Sequence, residues 1–356
     1  MKKQLKVGLI GCGFISAAHL TGYQKCSNVT IKALCDIIPE RASAAKEKYG
    51  TSETAVYEDY REMIEKEDLD AVSVCTENNL HAAITIDCLN AGLHVFCEKP
   101  MAISGDEADQ MVAAARKNNK KLSVGYQLRF MDDAQLLRRE VLSDKLGKVY
   151  YAEATTLRRR GVPTWGVFLN KEKQGGGPLI DTGTHIVDST LWLMNDYSPV
   201  VSAVGATYDH LIEKGGFNNG GHWDIDAFEV EDSAFGTVRL ASGAMMVIKA
   251  TWAVNIAEMN VNEVLLCGDK AGASLRNGKL TMNGEQNDRL WQYIPESSGQ
   301  ENLSAYDKEI LAWVDAVVND KDPVVLPEQA AQVVKVLEAL YISARTGRPY
   351  VANHSD

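Results

Sequence analysis

The sequence predicts an α/β protein of two domains, the first built on a parallel sheet and the second on a largely antiparallel one. The first observation is the length, because 356 residues exceed what one hydrophobic core usually serves. The second is an alternation of strand-like and helix-like segments that runs from residue 5 to residue 125. Beyond that point strand-like runs follow one another without helices between them. We therefore expect domains over residues 1–125 and 126–356.

Composition excludes several classes of partner. The formal net charge of -11 argues against nucleic acid and against an anionic membrane surface, because both demand basic patches. The seven cysteines have no framework spacing and mostly lie in apolar, strand-like runs, as reduced cysteines do. No apolar stretch is long enough for a signal peptide or a membrane span. We expect a cytoplasmic protein with no nucleic-acid or membrane partner.

A glycine turn follows the first predicted strand, residues 5–10. Its letters G-C-G-F-I-S carry Gly11 and Gly13 at the first two glycine positions of the dinucleotide fingerprint, with Ser16 where a third glycine or alanine is usual. The first glycine permits the tight turn, and the second lets backbone amides approach a pyrophosphate at the start of the following helix. The pattern of strand, turn and helix predicts an N-terminal Rossmann dinucleotide-binding domain.

An acidic residue ends the second predicted strand. Asp36 stands where a carboxylate binds the adenosine ribose hydroxyls in such folds and would repel the 2′-phosphate of NADP. Because Ile37 and Ile38 follow it and no arginine is adjacent, we favour NAD. Further side chains that we expect along the cofactor are Phe14, Ile15, Ile37, Arg41, Thr76 and Gln127.

Two later strands end in polar motifs. In an open parallel sheet the loops at the carboxyl ends of the strands line the ligand crevice, so Asn78 and His81 in T-E-N-N-L-H are candidates for contacts near the nicotinamide. His81 could equally have a structural role at the start of a helix. In Glu98-Lys99-Pro100, proline keeps Lys99 extended, and we expect the lysine to point into the crevice beside the cofactor, with Glu98 next to it. The alternative for Lys99 is a surface salt bridge to Glu98.

The second domain is predicted from its strands. Short turns join several of them, which favours antiparallel pairing in a large sheet that makes this domain α+β. Helices would cover one face of the sheet, and the other would pack on a partner subunit, giving a homo-oligomer: a dimer, a tetramer or larger. We expect polar loops at residues 215–221 and 284–300. The predicted strands cover residues 149–158, 200–208, 233–240, 244–251 and 262–266.

The stretch Gly175–Asp188, G-G-G-P-L-I-D-T-G-T-H-I-V-D, is our candidate for the chemistry. A helix starting after Pro178, with Thr182 or Asp181 as its cap, would place Asp181, His185 and Asp188 on one face beside a glycine loop that a ligand can approach. One alternative is an ordinary capped helix whose histidine makes a polar contact. A zinc site is another, although no second cluster of histidines or cysteines would complete it, and we expect no metal.

These motifs together resemble one family. GCGFIS with Asp36, TENNLH, CEKP and GGGPLIDTGTHIVD, in this order and at these separations, are similar to the Gfo/Idh/MocA oxidoreductases, which include glucose-fructose oxidoreductase and inositol dehydrogenase. The resemblance covers essentially the whole chain, and it departs from the common pattern at Ser16 and at Glu77, where proline is common. It implies a catalytic set of Lys99, Asp181 and His185.

The chemistry of that set suits oxidation of a secondary alcohol. His185 would take the hydroxyl proton, and Lys99 would donate a hydrogen bond to the same oxygen. Asp181 would orient a substrate hydroxyl or the imidazole. A non-catalytic NAD-binding sensor or accessory protein is the alternative, but such a protein would lose the lysine or the histidine, and this chain has both.

The predicted substrate is a polyhydroxylated ring. Tryptophans beside acids, amides and arginines suit such a ring, because its C–H faces stack and its hydroxyls form hydrogen bonds. We expect a sugar, glycoside or cyclitol, with C3 of a pyranose a candidate position. The arginines could instead bind a carboxylate. Besides the catalytic set, the candidate substrate-binding residues are Tyr126, Arg129, Arg158, Arg160, Trp165, His222, Trp223, Asp224, Trp252 and Asn255.

Overall fold

The computed structural model describes residues 4–296 and 303–352. These residues divide into two compact units. The first holds the described parts of Met1–Phe130 and Gln300–Ala331, and the second holds those of Met131–Gly299 and Gln332–Asp356. This division differs from the boundaries 1–125 and 126–356, because it ends the first segment at Phe130 and returns a C-terminal segment to the first unit.

The first unit contains a six-stranded parallel sheet, which confirms the Rossmann fold. Its strands are β1 Leu5–Ile10, β2 Val29–Cys35, β3 Ala55–Tyr57, β4 Ala71–Val74, β5 His94–Cys97 and β6 Leu122–Val124. They lie in the order β3-β2-β1-β4-β5-β6, which reverses between β1 and β4, the point at which ligands bind in such sheets. The helices among them are α1 Ser16–Gln24, α2 Pro39–Tyr49, α3 Tyr60–Lys66, α4 His81–Asn90 and α5 Gly105–Lys117.

The second unit contains a nine-stranded sheet, which confirms the predicted, largely antiparallel sheet. The strands are β7 Val149–Arg158, β8 Val200–Tyr208, β9 Ser233–Leu240, β10 Met245–Thr251, β11 Asn260–Gly268, β12 Ala271–Arg276, β13 Lys279–Gln286, β14 Arg289–Tyr293 and β15 Tyr350–Val351, in the order β14-β13-β12-β11-β7-β10-β9-β8-β15. The helices are α6 Asp132–Leu142, α7 Lys171–Gln174, α8 Pro178–Asp181 and α9 Gly183–Met194. All strand pairs are antiparallel except β7 with β10. Helix α9 packs against β7, β10 and β11 and covers one face.

The two C-terminal helices are α10 Ala305–Val318 and α11 Pro327–Thr346. Helix α10 packs into the core of the first unit through Ile310, Trp313 and Val314. Its contact with α1 requires Gly22, because a Cβ there would lie 2.7 Å from Cβ of Ile310. The sequence shows that α10 has an apolar face but not which domain that face packs against. Because the predicted domains are continuous stretches of the chain, they place α10 in the second domain.

Two hairpins correct the predicted loop over residues 284–300. Strands β12, β13 and β14 pair in succession, and residues 297–300 lie outside the described part of the chain. Strand β14 is exposed along most of its length, so it has no apolar alternation for sequence reasoning to detect. The turns are Asn277-Gly278 and Asn287-Asp288, and all four residues have positive φ, as two-residue hairpin turns of this hand require.

Candidate active site

The glycine turn of the first unit is built as a phosphate-binding turn requires. Gly11 has φ +91°, and a Cβ there would lie 2.5 Å from the Cys75 carbonyl oxygen, so only glycine fits. At Gly13 an added Cβ would meet no atom within 4 Å, which leaves the backbone open to a ligand. The Ser16 hydroxyl donates to the Gly13 carbonyl oxygen at 2.6 Å, so the departure from the fingerprint adds a hydrogen bond that braces the turn.

Asp36 is fixed against this turn. Its Oδ2 accepts a hydrogen bond from the Cys12 amide at 2.7 Å, and its Oδ1 accepts one from the Ile38 amide at 2.8 Å. Each carboxylate oxygen has a second acceptor site, so both can still accept from ribose hydroxyls. Beside it, Ile37 is 85 % exposed and Phe14 is 90 % exposed. Large apolar side chains exposed around a carboxylate and an open glycine turn fit an adenine nucleoside.

Other residues predicted along the cofactor lie in the same unit. Thr76 follows β4, and Asn78 begins a short 3₁₀ turn there and is buried. Arg41 is an exposed residue of α2, and Ile15 precedes the first residue of α1. The amide nitrogen of Gln127 donates to the Tyr306 hydroxyl at 3.1 Å, whereas its Oε1 is a buried acceptor with no partner among the described residues. A buried acceptor of this kind fits a donor group on a ligand.

Glu98 is a buried carboxylate that holds the backbone of Lys99. Its Oε2 accepts from the Lys99 amide at 3.0 Å, and its Oε1 lies 2.9 Å from Nε2 of His19, whose Nδ1 lies 3.0 Å from the Ser73 hydroxyl. Burial alone raises the pKa of Glu98, but the hydrogen bond and charge of His19 and the charge of Lys99 outweigh it and lower the pKa. Glu98 is buried, whereas the alternative considered for Lys99 places its partner carboxylate at the surface.

His81 is a structural residue, which corrects its assignment as a cofactor contact. The imidazole is fully buried, with Nδ1 2.7 Å from the Pro100 carbonyl oxygen and Nε2 3.2 Å from that of Thr76. Burial lowers its pKa despite these hydrogen bonds. The ring therefore links the loop after β4 to the one after β5, where the Lys99–Pro100 peptide is cis.

The glycines before α8 serve internal packing, which corrects their assignment to ligand approach. A Cβ on Gly176 would lie 2.2 Å from the Tyr341 hydroxyl, and one on Gly177 would lie 2.1 Å from the Glu231 carbonyl oxygen. Gly175 has φ +87° and ends α7. Gly176 and Gly177 thus let Tyr341 and Glu231 lie against the start of the segment that carries Asp181.

Glu231 provides the cap that the sequence assigns to Thr182 or Asp181. Its Oε2 accepts from the Gly177 amide at 2.9 Å, and its Oε1 accepts from the Leu179 amide at 3.4 Å and from the Tyr341 hydroxyl at 2.7 Å. Burial raises the pKa of Glu231, although these donors oppose the shift. The cap comes from a distant part of the chain, and no local pattern marks Glu231 or Tyr341 as its source. Pro178 is the first residue of α8, where its missing N–H costs nothing.

Replacing Tyr341 with phenylalanine should destabilise the protein in a pH-dependent way. The phenol favours the ionised carboxylate of Glu231, whose pKa is already raised, so its loss costs most above that pKa and less as the pH falls through it. We expect a cost of about 1–3 kcal/mol near pH 8 and a smaller one near pH 5, measured by denaturant unfolding. Tyr151→Phe is the control, because its hydroxyl donates to the more accessible Glu153 at 2.8 Å. Equal costs for the two variants would contradict the assignment.

Asp181 and His185 lie on successive helical turns. Asp181 ends α8 and is 6 % exposed, and its Oδ2 accepts from Nε1 of Trp252 at 3.0 Å. His185 lies in the first turn of α9 and is half-buried, whereas Asp188 is fully buried in the second unit. Asp181 and His185 therefore remain candidates for chemistry, and Asp188 is structural. Across residues 4–296 and 303–352, no three His, Cys, Asp or Glu side chains are grouped so as to hold a metal ion.

Four of the predicted substrate-binding residues are buried, which corrects their assignment. Arg129 is 0 % exposed and donates to the Val324 carbonyl oxygen at 3.0 Å and to Gln329 at 2.7 Å, so it braces the first unit. The Trp223 indole donates to the Ile212 carbonyl oxygen at 3.2 Å, within a small core. Burying these large side chains in the core stabilises the folded protein more than exposing them to solvent would. The four residues are Tyr126, Arg129, Trp223 and Trp252.

The remaining substrate candidates lie in the second unit. Nη2 of Arg160 donates to Oδ1 of Asn255 at 2.8 Å, so the structure brings these two predicted residues together. Arg158 donates to the Gly161 carbonyl oxygen at 3.2 Å. Trp165 is 56 % exposed, and its ring packs edge-on against Phe168 with centroids 5.9 Å apart. The other two exposed candidates are His222 and Asp224.

The chain matches two sequence profiles of one family. The profile described as the NAD-binding Rossmann fold of the GFO_IDH_MocA oxidoreductase family matches residues 5–126. The profile of the C-terminal alpha/beta domain of the same family matches residues 138–352. The two matches cover both predicted domains.

Individual proteins are similar over nearly the whole chain. A D-glucoside 3-dehydrogenase of Escherichia coli is 36 % identical over 348 residues, which is 96 % of each chain. A myo-inositol 2-dehydrogenase of Thermotoga maritima is 26 % identical over 89 % of this chain and 92 % of its own. Among solved structures, an oxidoreductase domain protein from Kribbella flavida matches with a TM-score of 0.85 and 25 % identity over 98 % of both chains.

Proposed function

Because the chain belongs to the Gfo/Idh/MocA family of NAD-dependent oxidoreductases, we propose that it oxidises a secondary hydroxyl of a sugar, glycoside or cyclitol. The first candidate for the oxidised position is C3 of a glucoside. The observation that carries this proposal is the 36 % identity to a D-glucoside 3-dehydrogenase over 96 % of the chain. The similarity to a myo-inositol dehydrogenase supports the wider class of cyclic polyols.

The proposed reaction assigns one task to each catalytic residue. Oxidation of a secondary alcohol removes a proton from the hydroxyl oxygen and a hydride from the carbon that bears it, and it leaves a ketone. NAD, when bound, takes the hydride. His185 accepts the proton, while the Lys99 ammonium donates a hydrogen bond to the substrate oxygen and stabilises its developing negative charge. Asp181 orients a substrate hydroxyl or the imidazole of His185.

Support for the cofactor contacts comes from the first unit. The open backbone at Gly13 fits a pyrophosphate, and the fixed carboxylate of Asp36 fits the hydroxyls of an unmodified adenosine ribose. The unpartnered Oε1 of Gln127 fits a donor on the ligand. Glu98 acts through the backbone of Lys99, to which it is hydrogen-bonded.

Support for a sugar ligand comes from the second unit. The exposed ring of Trp165 offers a face on which sugar C–H groups stack. The Arg160–Asn255 pair retains further donors and acceptors for hydroxyl groups. Its guanidinium also fits a carboxylate, so a sugar acid is the substrate to compare with a neutral glycoside.

We also propose that the protein is a cytoplasmic homo-oligomer. All seven cysteines are described and are free, and burial raises the pKa of Cys12 and of Cys35 to about 12, so these two thiols stay protonated and unreactive. Free cysteines suit a reducing compartment.

We propose that subunits associate through the second unit's sheet, and sizing at micromolar concentration tests this. In the described chain, no helix combines the length and the apolar character needed to cross a membrane.

The experiment that tests the proposed function is a substrate screen. Glycosides, free sugars, sugar acids and cyclitols are incubated with NAD, and reduced cofactor is followed by its absorbance. We expect turnover with at least one glycoside or cyclitol and expect the product to be a ketone. Absence of turnover with every polyol, in a preparation that binds NAD, would overturn the proposal.

A further inference from the structure

Trp252 is a fully buried tryptophan directly after β10. Its indole N–H donates to Oδ2 of Asp181 at 3.0 Å. Asp181 is itself almost entirely shielded from solvent, so this hydrogen bond replaces part of the hydration that the carboxylate loses. An aromatic side chain predicted to line the substrate site thus contacts a proposed catalytic carboxylate instead.

The same indole packs in a small hydrophobic core to which two irregular segments contribute, residues 161–170 and 209–230. The ring packs edge-on against Phe168 of the first segment, with centroids 6.3 Å apart, and against Phe228 of the second, at 6.4 Å. Asn218 joins the segments, because it accepts from the Val162 amide and donates to the Val162 carbonyl oxygen, each at 3.0 Å.

The first segment also carries Trp165, the exposed ring to which we assign sugar stacking. Trp165 packs edge-on against Phe168, and Phe168 packs edge-on against Trp252. A continuous series of contacts therefore leads from the exposed ring to the Asp181 carboxylate, all of it within the second unit. Close-packed aromatic rings of this kind resist independent movement.

We propose that Trp252 is a positioning residue that fixes the Asp181 carboxylate and couples its orientation to the segment that carries Trp165, the ring assigned to sugar stacking. The assignment rests on the proposed function, since it gives Asp181 a role in turnover. A carboxylate is planar, so holding Oδ2 sets the direction of Oδ1 as well. Without the indole donor the carboxylate loses one of the hydrogen bonds that set its orientation, and small errors in the placement of a catalytic group are costly.

Trp223 supplies a matched control. It lies in the same small core, and its indole donates to the Ile212 carbonyl oxygen at 3.2 Å rather than to Asp181. Trp223→Phe and Trp252→Phe therefore each remove one indole hydrogen bond and a similar volume from one core. A merely structural role for Trp252 predicts similar kinetic effects for the two variants.

The experiment compares kcat, KM and NAD binding in the two variants with the substrate found by the screen. We expect Trp252→Phe to lower kcat by about tenfold or more, with KM for the sugar and the dissociation constant of NAD changed less than about threefold. We expect Trp223→Phe to keep kcat within about twofold of the unchanged protein. In an Asp181→Asn background, Trp252→Phe should have little further effect on kcat, because the carboxylate that the indole positions is absent.

A second measurement needs neither turnover nor a folded Trp252 variant. In protein labelled with 5-fluorotryptophan, Asp181→Asn should move the ¹⁹F signal of Trp252 and leave that of Trp223 in place, with signals assigned by single tryptophan substitutions elsewhere. An unmoved Trp252 signal overturns the proposal. Equal kcat values for the two phenylalanine variants of an active enzyme also overturn it while leaving the proposed function intact. Failure of the unchanged protein in the substrate screen overturns the proposed function.

Discussion

Replacing Lys99 with alanine is expected to lower kcat by about 10³-fold and to leave NAD binding within a few-fold of its original strength. The ammonium group is assigned to the developing charge on the substrate oxygen, an interaction made most strongly in the transition state. The contacts assigned to the pyrophosphate and ribose belong to the glycine turn and Asp36, which the substitution does not touch. Steady-state kinetics and fluorescence titration with NADH measure the two effects.

A lysine elsewhere in the same unit provides the control for this prediction. Lys121 precedes β6 and forms an ion pair with Asp320 at 2.9 Å. Lys121→Ala should leave kcat within about twofold, because we assign this ion pair no part in the reaction. If Lys99→Ala turned over sugar as fast as Lys121→Ala, the assignment of Lys99 to the reaction would have to be abandoned.

Replacing His185 with asparagine is expected to lower kcat by roughly 10²–10⁴-fold, the range typical for loss of a general base. The pH dependence should change as well. Only a neutral imidazole can accept the proton, so kcat should rise with pH as the imidazole loses its own proton and then level off. The variant should lose this rise. Rate profiles at saturating NAD and sugar, with folding checked at each pH, measure both effects.

An exposed histidine of the second unit provides the comparison. His210 lies 3.8 Å from Asp209 and is exposed, and it has no assigned role. His210→Asn should keep both kcat and the rise with pH. A His185 variant that kept the same rise would show that another group accepts the proton.

Local sequence patterns sufficed for the fold and for the family. The strand, glycine turn, helix and terminal acid at residues 5–36 predict a Rossmann domain because each feature depends on a few neighbouring residues. The confirmed parallel sheet and the family match follow from these local features and from the motifs around Lys99 and His185. Strand β14, exposed along most of its length, could not be predicted, because it lacks the apolar alternation that marks a half-buried strand.

The roles of individual side chains were harder to predict, because burial depends on what packs against a residue from elsewhere in the chain. The sequence predicts Arg129 to contact the substrate, yet its guanidinium is hydrogen-bonded to residues about 200 positions later in the chain. The three consecutive glycines are predicted from the sequence to form a loop that a ligand approaches, yet Tyr341 packs against Gly176 and Glu231 packs against Gly177. In both cases the residues of the segment itself do not specify whether a ligand or a distant side chain packs beside them.

The sequence by itself determined the two sheets, the NAD-binding class and the three residues proposed for catalysis, since each is encoded in a short run with fixed spacing. Only the tertiary structure decided how Asp181 is held: Glu231 caps the segment before it, and Trp252 donates to its carboxylate. Trp252 lies 71 positions from Asp181 along the chain, and Glu231 lies 54 from Gly177. Their contacts arise from β-sheet pairing and core packing, which bring together residues that no local pattern relates.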